Sequence, residues 1–92
     1  MLKSDDQAAM EQAIAAHPEK HPVMPGTGGI RKARWAMQGS GKSGGARVVY
    51  YYLVVGDQTH FLFIYAKNTQ ADLTADQRKK FMNYVEALCK RK

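Results

Sequence analysis

Residues 46–55, ARVVYYYLVV, restrict the folds open to this chain more than any other stretch. The run is β-branched and aromatic nearly throughout, which suits a pleated, packed surface. Strand side chains alternate between faces, so Arg47, Val49 and Tyr51 share one face and Val48, Tyr50 and Tyr52 the other. The run is apolar on both faces, and it therefore reads as the central strand of a sheet. Gly56, Asp57 and Gln58 form a tight turn, and residues 60–67 return as an antiparallel partner. Upstream, residues 30–37 form a third strand, with Lys32 and Arg34 on one face opposite Arg47. Three successive strands with short connections make a meander.

Helical patterns bracket these strands. Ser4 followed by Gln7 has the pattern of a helix N-cap, and Met10, Ala13, Ile14 and His17 recur at helical spacing, so residues 5–16 are expected to form an amphipathic helix. Pro18 and Pro22 end it. Thr74 with Gln77 is a second capping box, opening a helix whose stripe of Phe81, Tyr84, Val85 and Leu88 should lie on the sheet. Arg78, Lys79 and Lys80 face water, while Lys90, Arg91 and Lys92 complement the negative end of the helix dipole. The expected fold is α+β: a small antiparallel sheet of about three strands, with an N-terminal and a C-terminal helix packed on it. At 92 residues it is a single domain spanning 1–92.

The net charge is +6 and the pI ≈ 9.6, a balance that fits nucleic acid, an acidic protein or an anionic surface as partner. No apolar run approaches the ~18 residues of a membrane span. The N-terminus is charged and does not resemble an export signal. A single cysteine, Cys89, excludes an internal disulfide framework and fits a cytoplasmic protein. His17 and His21 have a spacing that serves a metal only on one helical face, and the two prolines argue against a helix there. No metal or cofactor is expected.

The basic residues concentrate around the first two strands. Lys32 and Arg34, two strand rises apart, sit roughly 6.6 Å from each other, close to the backbone spacing of a nucleotide. The bland alternative is a half-exposed strand whose charge serves solubility. Between the strands, residues 38–45 read QGSGKSGG. This is not a P-loop, because Ala36 stands where the pattern needs its first glycine and the segment leads into a strand instead of a helix. It either carries Lys42 and backbone N–H groups to a phosphate or simply links two strands.

Taken together, GTGGIRKARWA, GKSGGARVVYYY and FIYAKNTQADLTADQRKK resemble the HigB branch of the RelE/ParE superfamily of bacterial toxins. The likeness covers residues 26–92 and continues more weakly through the first helix. It implies the toxin of a type II toxin–antitoxin module, acting as a ribosome-dependent, metal-independent mRNA endonuclease. The implied partners are a HigA-like, helix-turn-helix antitoxin, the ribosome and mRNA. By the same resemblance Lys32, Arg34, Arg47 and Lys67 fall on catalytic positions, and Arg31, Lys42, Asn68 and Thr74 on RNA-binding ones. The chain departs from the family pattern at Asn68, which replaces an arginine, and at Thr74, near the place of a nucleotide-stacking tyrosine. The family's first strand also has no counterpart: either the chain is a short or truncated member, or its sheet edge is completed by a partner, a second copy in a homodimer or an antitoxin.

Cleaving RNA with side chains alone requires a base for the 2′-hydroxyl, cations for the charged phosphorane and an acid for the leaving oxygen. Lys32 or Lys67 is expected as the base, and Arg34 and Arg47 as phosphate clamps. His60 and the Tyr50–Tyr52 run are expected to be structural. Two alternatives remain: a non-catalytic, antitoxin-binding protein, and a ParE-like gyrase poison.

Overall fold

The computed structural model describes residues 4–35, 45–67 and 69–90. Helix α1 (Ser4–Ala16) leads to strands β1 (Ile30–Trp35), β2 (Ala46–Leu53) and β3 (Gln58–Ala66), and α2 (Ala75–Lys90) closes the chain. The strands form one antiparallel sheet in the order β1-β2-β3, an α+β arrangement with β2 at its centre.

The two helices take opposite faces of the sheet. From α1, Met10 and Ile14 pack with Ala33, Val48 and Tyr50. From α2, Phe81 and Val85 pack with Ile30, Val49 and Tyr65, together with Met24 and Leu73. β2 is apolar on both sides because each side is covered by a different helix. The expected helical stripes are narrower than their spacing suggested. Ala13 and His17 are exposed, and Tyr84 sits at the margin of α2 at 46 % exposure.

The turn after β2 starts earlier than residues 46–55 implied. Val54 and Val55 lie outside the strand and are 67 % and 81 % exposed. Asp57 donates its backbone N–H to the Val54 carbonyl (3.0 Å), and Gly56 (φ 85°) and Asp57 (φ 52°) both have left-handed backbones. That geometry ends the ladder whatever the propensity of the two valines. Tyr52 steadies the turn by donating to Asp57 Oδ1 (2.7 Å).

Residues 17–29 are more than a connection. Met24 donates to the Ile30 carbonyl (2.8 Å), Lys32 donates to the Pro22 carbonyl (3.2 Å), and Val23 bridges Arg31. The buried Thr27 hydroxyl donates to the Met24 carbonyl (2.6 Å) and accepts from the Ile30 N–H (3.1 Å). Tyr50 donates its hydroxyl to the Pro18 carbonyl (2.7 Å). Gly29 is needed where the segment meets β1, because a Cβ there would stand 3.1 Å from the Tyr51 ring. The outer edge of β1 is therefore stitched over residues 30–32 by the chain itself. Among the described residues, no strand pairs with the outer edge of β3.

Candidate nucleic-acid interface

Strand register builds the site. Lys32 lies opposite Val49, and Arg34 opposite Arg47. Arg47 lies opposite Tyr65 on β3. The sheet thus carries a row Arg34–Arg47–Tyr65 on its α2 face, with Lys32 one row away. Lys32, Arg34 and Arg47 line a cavity of about 430 Å³ together with His21 and Pro22. Three cations around one concave surface can hold a phosphate, and arginine can do so through paired N–H donors.

The three cations differ in exposure. Arg34 is exposed, the Lys32 side chain is 29 % exposed, and Arg47 is 7 % exposed, a charged residue within the core. Lys32 Nζ lies 3.5 Å from Asp72 Oδ1. The same Asp72 oxygen accepts the Leu73 N–H at 2.8 Å. This backbone bond, aided by the charges of Lys32 and Arg78, holds the Asp72 carboxyl below its usual value against the effect of burial. Asp72 is thus an anion at the rim of a cationic cleft. The spacing of basic residues gave no sign of it, because it arrives from the loop before α2, 40 residues from Lys32.

Arg31, Thr74 and Lys67 are not among the residues that line this cavity. Arg31 alternates to the α1 face and donates to the carbonyls of His21 (2.6 Å) and Glu19 (3.2 Å). Thr74 is the cap of α2: its Oγ1 accepts the Gln77 N–H (3.1 Å) and its own N–H donates to Gln77 Oε1 (3.0 Å). Lys67 is exposed in the turn after β3, where its backbone N–H donates to the Gly45 carbonyl (3.1 Å). Lys42 and Asn68 lie outside the described residues.

His60, His21 and Tyr51 make scaffold contacts. His60 Nδ1 is 3.2 Å from the Tyr84 hydroxyl and its Nε2 3.1 Å from Gln58 Oε1, which ties β3 to α2. His21 packs edge-on to Tyr50, 6.2 Å between ring centroids. Burial, then the charges of Lys20 and Arg31, lowers its pKa. Among the described residues, no three His, Cys, Asp or Glu side chains gather to hold a metal. Nor does any described helix have the length and apolarity to cross a membrane. Tyr51 shares a 3.3 Å hydrogen bond with Cys89 Sγ, which gives the lone cysteine a packing role on α2.

Residues 5–92 match the family model of the RelE toxin of the RelE / RelB toxin-antitoxin system. The match spans nearly the whole chain, and the protein belongs to the RelE toxin family.

Proposed function

We propose that this RelE-family chain is the toxin of a toxin–antitoxin module and cuts mRNA on the ribosome with its own side chains as catalysts. The observation that supports this reading is the cleft in which Lys32, Arg34 and Arg47 meet. The arginines clamp the scissile phosphate and offset the charge that accumulates in the phosphorane. Lys32, already facing the Asp72 carboxylate, serves as a third clamp. Proton removal from the 2′-hydroxyl falls to Lys67, two residues beyond Tyr65. The O2′–P bond forms as the P–O5′ bond breaks, and the 5′-oxygen takes a proton from solvent. Lys42 and Asn68 are assigned to the flanking RNA. The antitoxin, of the HigA type by resemblance, covers this basic face with acidic or polar groups, and the complex works in the cytoplasm.

Primer extension on cellular mRNA after induction tests the reading. Codon-phased cuts are expected. DNA damage without mRNA cuts would replace the reading with gyrase poisoning, and neither effect would leave an antitoxin-binding protein. Arg34→Ala, at an exposed position, and Arg47→Ala should each abolish the cuts, with folding checked by circular dichroism.

A further inference from the structure

Tyr65 is 2 % exposed, and among the described residues its hydroxyl is the buried side-chain atom left without a hydrogen-bond partner. Such atoms are rare in native proteins, and each requires a reason. Packing does not supply one. The ring stacks on Phe63 at 5.8 Å and belongs to the cluster of Leu73, Phe81 and Val85, which a phenylalanine would fill equally well. The hydroxyl is thus an extra polar group, held in the same cross-strand row as Arg34 and Arg47.

The charges nearest this phenol are those of the site. Burial raises its pKa, Asp72 adds to the effect, and Arg47 opposes it. The group stays protonated through the neutral range, so it is a donor. Asp72 does not take up that donor: the phenol has no hydrogen-bond partner among the described residues, and Asp72 Oδ1 faces the Leu73 N–H and Lys32. The geometry points to the Tyr65 hydroxyl as a hydrogen-bond donor to the RNA phosphate gathered by Lys32, Arg34 and Arg47. This inference rests on the nuclease reading above. In the free protein the Lys32–Asp72 contact is long, at 3.5 Å, and its partners are 29 % and 52 % exposed, so an arriving phosphate competes for Lys32 at little cost. In the complex the hydroxyl donates to a non-bridging oxygen of that phosphate. The bond strengthens as charge builds on that oxygen in the transition state, and no proton is transferred.

Tyr65→Phe isolates the hydroxyl, because it keeps the ring and removes an unsatisfied group. The variant should fold at least as stably as the parent. On programmed ribosomes its kcat should fall about a hundredfold with KM little changed, as happens when one donor to a developing oxyanion is lost. A second measurement does not need cleavage. A 2′-O-methyl RNA trinucleotide, which cannot be cut, is titrated into full-length protein with labelled tyrosine and followed by NMR. The Tyr65 signal should move on binding. Unchanged kcat in the variant, or a Tyr65 signal that stays still while the RNA binds, overturns the inference. A parent that binds the trinucleotide and moves Tyr65 but cuts nothing overturns the nuclease reading and leaves the donor in place.

Discussion

Ile14→Ala tests how the first helix is held. Ile14 is 2 % exposed and packs with Met10, Val48 and Tyr50 on the face of the sheet away from the cationic cleft. The substitution removes three carbons, about 2.4 kcal/mol of transfer free energy at ~0.8 kcal/mol per methylene. The void left behind adds to this, because a close-packed interior relaxes only in part, and about 3–4 kcal/mol is expected in total. A domain of this size loses roughly 4–8 °C of Tm per kcal/mol, so the midpoint should drop by about 12–30 °C. Thermal unfolding followed by far-UV circular dichroism measures it, with Gln12→Ala, at an exposed position of the same helix, as a control expected within about 0.5 kcal/mol. In the cold the folded variant should bind RNA like the parent, because Lys32, Arg34 and Arg47 face the other way. A loss below about 1 kcal/mol would mean that α1 does not dock in solution as described. A stability loss accompanied by lost RNA binding would refute the separation of the two faces.

Tyr50→Phe removes the hydroxyl that donates to the Pro18 carbonyl at 2.7 Å and should cost about 1 kcal/mol in urea unfolding. The Asp72 carboxyl is lowered from its usual 3.8, so its contribution to stability is fully present above that value and is lost as pH falls below it through the lowered folded value. Asp72→Asn should therefore flatten part of the acid limb of a stability–pH curve while leaving the neutral region little changed, since the side chain is 52 % exposed. Affinity for a single-stranded RNA held by Lys32, Arg34 and Arg47 should fall roughly twentyfold between 50 and 200 mM salt, the slope of about three phosphate contacts. A flat response in a filter-binding titration would count against phosphate recognition.

What could be read from the sequence was local. The strand propensity of residues 46–53, the capping box at Thr74 and Gln77, and the alternation that sets Lys32 and Arg34 apart from Arg31 all depend on neighbours a few positions away. That Lys32 and Arg34 share a face turned toward Arg47 was also legible, whereas the register that pairs Arg34 with Arg47 was not. What escaped depends on distant contacts. An apolar strand does not say which helix covers which side. Val54 and Val55 look like strand residues, yet the left-handed backbones at Gly56 and Asp57 bring the chain round first. The carbonyl partners of Arg31, Glu19 and His21, lie in a segment without strand character, so its contacts could not be read from spacing. Tyr65 carried no signal in the sequence, since no pattern along a chain reveals a hydroxyl without a partner. The same holds for Asp72, a carboxylate that reaches the cleft from the loop before α2.

The stitching of residues 22–24 along β1 also fixes how many neighbours the sheet can take. An open strand edge is a binding valence, and a sheet with two of them can pair on each side and propagate. Here the first edge is occupied over residues 30–32 by Pro22, Val23 and Met24 from the same chain, while among the described residues no strand pairs with the outer edge of β3. A partner strand that adds to this sheet therefore has the length of β3 open to it, but along β1 only the end beyond Lys32.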